Sequence, residues 1–149
     1  MDLGALYQDV ILDHNRKPRN WGELSHPARH AEGHNPMCGD AITVWVRMGG
    51  DVVEDISFTG SGCAISKASA SMMTQAVKGK SREEAALVFE SFHAMVTGKH
   101  DAPAADPTLG KLKVFSGVAR FPTRVKCASL AWHAMREAMA APSDTPSGA

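Results

Sequence analysis

Between Ile42 and Gly79 the chain changes its hydrophobic period once, and that change commits it to a mixed architecture. Ile42, Val44, Val46 and Met48 alternate with Thr43, Trp45 and Arg47, the period of two of a half-buried strand. Gly49-Gly50-Asp51 supplies turn residues, and the return run Val52 to Thr59 is again strand-like, with Glu54, Ile56 and Phe58 expected on one face. The two runs read as an antiparallel hairpin. Gly60-Ser61-Gly62 then breaks the strand, and from Cys63 onward Ile65, Ala68, Met72, Ala76 and Val77 recur at helical spacing until Gly79 stops them. A hairpin that passes directly into an amphipathic helix must pack sheet against helix. The predicted class is therefore α+β, a small, mostly antiparallel sheet packed against helices.

The flanking segments add helices on both sides. Leu3, Leu6, Tyr7, Val10, Ile11 and His14 lie on one helical face, with Asp2 as a cap and Pro18 as the stop. His26 to Gly33 offers a further strand. Ser81 and Glu84 form a capping-box pattern ahead of Ala85, Val88, Phe92, Met95 and Val96. Lys99 to Gly110, with Pro103 and Pro107, reads as a surface loop, docked at its far end by Leu112, Val114 and Phe115. Beyond Pro122, Thr123 can cap a last helix whose inner face is Leu130, Ala131, Ala134 and Ala138, placing Cys127 near the first turn. Residues 1–140 are expected to form one domain, and 141–149, rich in Pro, Ser and Ala, a disordered tail.

Charge narrows the possible partners. Lys plus Arg and Asp plus Glu number 16 each, so there is no broad field to attract nucleic acid or an anionic membrane, and neither is expected as a partner. No stretch approaches the roughly 18 apolar residues of a membrane helix, and no secretory signal opens the chain, so the expected location is cytoplasmic. In that reducing setting three widely separated cysteines are either inert core thiols or metal ligands, rather than a disulfide framework.

Their local settings are alike. Cys38 lies in a Pro-Met-Cys-Gly-Asp turn entering a strand, Cys63 follows Gly-Ser-Gly at a helix start, and Cys127 falls near another helix start. Helix N-termini favour thiolates, the form that binds metal or attacks sulfur. In an extended Cys38-Gly39-Asp40 segment, residues two apart point the same way, so a sulfur and a carboxylate can reach one ion. Three thiolates and a carboxylate make a tetrahedral set suited to zinc. The residues alone equally allow Cys63 and Cys127 as small buried hydrophobes, with Asp40 closing a turn.

Three longer segments bear on that choice: His30 to Asp40 (HAEGHNPMCGD), Phe58 to Met73 (FTGSGCAISKASASMM) and Arg120 to Ala128 (RFPTRVKCA). Together with Leu6-Tyr7-Gln8 to His14 and Pro18-Arg19-Asn20-Trp21-Gly22, they resemble the SufU branch of the IscU/NifU N-terminal family of iron–sulfur assembly proteins, in order from the first residues to Met139. The resemblance implies a metal site of Cys38, Asp40, Cys63 and Cys127 at one end of an α+β fold. It also implies a zinc-dependent sulfur acceptor, with a SufS-type pyridoxal-phosphate cysteine desulfurase as donor, a downstream iron–sulfur assembly scaffold beyond it, and Cys38 as the thiol that takes the sulfur. The alternative is a scaffold holding a transient [2Fe–2S] cluster on the same ligands.

The two roles differ at identifiable positions. Scaffolds of the IscU type carry His immediately before the third cysteine and lack the preceding insertion; this chain has Lys126 there and the extended 99–117 region. With Lys126 and Arg124 nearby, the net negative charge of a zinc–thiolate–carboxylate centre can be offset. His30 and His34 precede Cys38 closely enough to support or supplement the ligands, whereas His14, on an apolar helix face, reads as a core or edge residue. Met72-Met73 reads as core packing, and Trp21, Trp45 and Trp132 are each either packing or partner contacts.

Overall fold

The computed structural model describes residues 3–25, 28–36, 39–98 and 109–140. Its elements are α1 (Leu3–Arg16), β1 (Arg29–Asn35), β2 (Asp40–Gly49), β3 (Val52–Ser61), α2 (Ala64–Val77), α3 (Arg82–Val96), a 3-10 run (Gly110–Arg120) and α4 (Pro122–Ala140). The strands form one antiparallel sheet in the order β1-β2-β3. Ile42, Val44 and Val46 of β2 point into the core, where α4 crosses β1 and β2 while α2 packs between α1 and α4. The expected tail, 141–149, and the cap Asp2 lie outside the described residues, as does most of the expected loop.

The hairpin forms as its alternation requires, with one correction. Arg47 stands opposite Asp55, but Met48 stands opposite Val53, so Glu54 is an extra residue in a β-bulge. The bulge changes the phase of β3. Val53 joins Ile56 and Phe58 inside, and Glu54, expected on their face, is exposed.

Helix α2 is unusual in burying Ser66, Ser69, Ser71 and Thr74 along with its apolar residues. Each buried hydroxyl has a partner, as burial demands. Ser69 donates to Ala128 O (2.6 Å) and accepts from Trp132 Nε1 (3.0 Å), tying α2 to α4. Trp132 is thereby a core residue, stacked on Phe92 at 4.4 Å between ring centres. Trp21 is both half-exposed and packed edge-to-face on Phe58. The Met72-Met73 pair is buried, as expected.

The C-terminal third departs most from expectation. Leu109, Leu112 and Phe115 are buried, so the segment after the loop docks as a 3-10 run rather than at a single point. Helix α4 opens at Pro122, whose missing N–H and fixed φ suit the first helical position. Cys127 therefore sits in the second turn, beyond the unpaired amides that would favour a thiolate there.

His14 joins α1 to α2. Its Nδ1 lies 2.7 Å from Ser71 Oγ, which also accepts the Arg19 N–H at 2.9 Å. A neutral ring can accept the serine proton. Burial, then the positive charge of Arg19, holds His14 below its usual 6.5, and burial with Arg136 and His93 does the same to His133. A histidine depressed in the folded state contributes stability above its unfolded value and loses it as pH falls toward the folded one. The melting temperature is thus expected to fall on acidification below 6.5, and less so in His14→Gln. A variant whose melting temperature has the same pH dependence as wild type would contradict this coupling.

Candidate metal centre

Three chain crossings meet at one end of the sheet. Asp40, the first residue of β2, stands opposite Asn35, the last of β1. Gly39 turns between them with φ +71° and donates its N–H to Asn35 O at 2.8 Å. That left-handed φ corrects the extended backbone expected at residue 39. On the neighbouring strand, β3 ends at Ser61, and Gly62 leads into α2 with Cys63 as its N-cap. Cys127 comes from α4, fully buried against this corner.

One ligand atom each from Asp40, Cys63 and Cys127 lies within 4.8 Å of the others. Residues that are 23 and 64 positions apart along the chain converge because β2, α2 and α4 share this end of the core. Cys63 Sγ is 3.9 Å from Asp40 Oδ2, and Asn35 Nδ2 points at Cys127 Sγ from 3.9 Å. A tetrahedral zinc ion places sulfur and oxygen ligands about 3.5 Å apart, so the Cys63–Asp40 pair is a few tenths of an ångström from that spacing, and this sulfur–sulfur–oxygen set is of the chemistry that zinc takes. Cys38, the fourth expected ligand, lies outside the described residues; the chain places it two residues before Asp40.

Asp40 is held more firmly than a loosely exchanging ligand would be. It is almost fully buried, and it accepts the Cys63 N–H on Oδ1 (2.8 Å) and the Ser66 hydroxyl on Oδ2 (2.7 Å). Burial pushes its carboxyl up, but Ser66, the Cys63 amide, the Cys127 thiol and the Arg124 guanidinium outweigh it and hold the group below the ordinary 3.8. Asp40 stays ionised at neutral pH. Ser66 was not among the residues singled out from the sequence; its signal was its place three residues after Cys63, on the same helical face.

The remaining candidates divide. Arg124, exposed, is the cation whose field reaches Asp40, while Lys126 lines a separate groove with His34, His93 and His133. His34 is exposed and pairs with Glu32 at 3.5 Å, and His30 packs near Trp45. Among the described residues neither histidine belongs to the ligand cluster.

Gly62 makes the close approach possible. It has φ +146°, and a Cβ built there would collide with Asp40 Oδ1 and its carboxyl carbon. Gly62→Ala is therefore expected to displace the carboxylate, lowering both zinc retention and melting temperature, by about 1–3 kcal/mol in stability. Wild-type zinc content and melting temperature in that variant would show that the corner tolerates a side chain.

An α+β domain with a sheet of three antiparallel strands, carrying two thiols and a carboxylate at one end, is a candidate metal-binding domain. The chain belongs to the NifU-like N-terminal domain family, whose model matches residues 6–128 and so spans all four expected ligands. It is 45% identical over 139 residues to the zinc-dependent sulfurtransferase SufU of Bacillus subtilis, covering 93% of this chain and 92% of that protein. It is 44% identical over 137 residues to the iron–sulfur cluster assembly scaffold protein IscU of Streptococcus pyogenes, covering 92% of this chain and 84% of that one. Among solved structures, a putative scaffold protein for the SUF system from Fervidobacterium islandicum superposes with a TM-score of 0.72 at 32% identity, covering 91% of this chain and 97% of that chain. The family is one of iron–sulfur cluster assembly. Among the described residues no helix is long and apolar enough to cross a membrane.

Proposed function

We propose that the chain binds zinc through Cys38, Asp40, Cys63 and Cys127 and accepts persulfide sulfur on Cys38 from a SufS-type, pyridoxal-phosphate cysteine desulfurase, for delivery to a downstream iron–sulfur assembly scaffold. The convergence of Asp40, Cys63 and Cys127 within 4.8 Å carries the reading. Two relatives of nearly equal identity bear different role names, so the choice between roles rests on chemistry. Lys126 offers no ring nitrogen to replace the imidazole that scaffolds place before the third cysteine, and His34 is turned to Glu32. A cytoplasmic, reducing location suits free thiols in this arrangement.

Bound zinc would keep its cysteine ligands ionised at neutral pH. The chain supplies the rest. Asp40 is anchored by Ser66 and the Cys63 amide, and Cys127 is buried, which suits both to retaining the ion and leaves the sulfur chemistry to Cys38. The Cys38 thiolate attacks the outer sulfur of the donor persulfide; a new S–S bond forms on Cys38, and the donor cysteine leaves as its thiolate. No electrons are gained or lost overall. The test is metal analysis of the purified chain followed by desulfurase turnover with and without it. About one zinc per chain and faster turnover are expected; iron as the main metal, with a visible charge-transfer spectrum, would instead support the cluster scaffold.

A further inference from the structure

Although the chain is electrically balanced, its charges are not evenly spread. From Pro107 to Met135 it has five cations, Lys111, Lys113, Arg120, Arg124 and Lys126, and no acid. This segment comprises the 3-10 run and the first part of α4, the elements that flank the metal centre. Four of the five are exposed, and none is ion-paired among the described residues.

The same elements enclose an open apolar cleft of about 710 Å³. Ile11, Leu12, Ile65, Val114, Val118 and Phe121 line it, Cys63 sits on its wall, and Arg124 stands at the rim. Lys111 lines the adjoining groove, which shares Val114 and also carries Asp9 and the Asp13–Arg19 pair. Phe121 is 59% exposed and Leu12 39%, two of the five large hydrophobic side chains left open among the described residues. An exposed aromatic side chain beside an apolar trough, with Arg124 in its lining and Lys111 in the adjoining groove, has the make-up of an interface hot spot with a charged rim.

We propose that this cleft is the docking site for the persulfide donor, and that it receives an apolar side chain framed by acidic residues on that protein. The proposal rests on the sulfur-acceptor function above and specifies which surface the donor meets. Continuity with Cys63 brings an occupant of the cleft to the edge of the metal centre. Charge selects the occupant. A second copy of this chain would set the same cations against one another. Nucleic acid would need a row of stacking aromatics along a phosphate track, and the cleft walls are aliphatic apart from Phe121.

The test is titration of the zinc-loaded full chain against the purified cysteine desulfurase at low and high salt. Phe121→Ser is expected to weaken binding by about tenfold or more, as loss of a central aromatic anchor does. Lys111→Glu with Arg120→Glu is expected to weaken binding at low salt and to flatten its salt dependence. Leu87→Ser, which removes an exposed side chain on α3, should bind as wild type, and zinc content should be unchanged in all three. Wild-type affinity in Phe121→Ser would overturn the proposal, as would a dimer of the wild-type chain that only this variant dissociates, or competition by RNA that depends on Lys111 and Arg120. A chain that binds in the expected pattern yet takes no sulfur would remove the sulfur-acceptor function and keep the docking site. Normal sulfur uptake with unimpaired binding in Phe121→Ser would remove the docking site alone.

Discussion

Cys127→Ser is expected to purify with little zinc and to melt about 10 °C or more below wild type. The thiol it removes is fully buried where α4, β1 and α2 meet, so the vacated position cannot be filled by a partner's side chain. Metal binding free energy at such a site is folding free energy, because the unfolded chain does not hold the ligands together. A loss of about 4 kcal/mol corresponds to roughly 8–16 °C for a chain of this size. Cys63→Ser should separate the two effects. It also removes a proposed sulfur ligand, but Cys63 is the N-cap of α2 and makes no side-chain capping bond, a position where serine is preferred and contributes about 1 kcal/mol. Zinc should be lost in both variants, with the smaller fall in melting temperature in Cys63→Ser. Wild-type zinc content in either would remove that cysteine from the ligand set.

The second large effect is expected in Cys38→Ser, which should reduce sulfur uptake from the desulfurase to background while leaving the fold intact. Hydroxyl and thiol differ in ionisation by many orders of magnitude at neutral pH, and only the thiolate displaces a persulfide sulfur at useful rates. The fold should survive because the hairpin on either side is held independently: Asn35 pairs with Asp40, and the Gly39 N–H reaches Asn35 O. Asp40, Cys63 and Cys127 remain as three ligands, so the variant should still bind zinc, with faster exchange. Cys38→Ser that accelerates the desulfurase as wild type does would place the acceptor elsewhere.

The sheet, the capping box at Ser81 and Glu84 and the place of Cys63 at a helix start were legible because each is local: period, turn residues and caps act within a few positions. The phase of β3 was not legible. Glu54 follows the alternation in sequence, and only pairing with β2, where Met48 meets Val53, shows that a bulge expels it. The 3-10 run was hidden for a related reason, since Phe115 looks like an isolated anchor until Phe92, itself stacked on Trp132, provides the ring it packs against. For the candidate centre, family resemblance implied a ligand set that spacing left undecided, and three of its four residues converge. What it did not contain was the support around Asp40. Ser66 and Gly62 matter through contacts with Asp40 from 26 and 22 positions away along the chain, one by donating to the carboxylate and the other by leaving room for it.

The central claim is the assignment of sulfur chemistry to Cys38 and of retention to the three ligands that the core holds together. It is tested most directly by mixing the zinc-loaded chain with the desulfurase and free cysteine, then locating the added sulfur by mass spectrometry under non-reducing conditions. The account predicts one extra sulfur on the peptide containing Cys38, with Cys63 and Cys127 unmodified. Persulfide found mainly on Cys63 or Cys127 would contradict it.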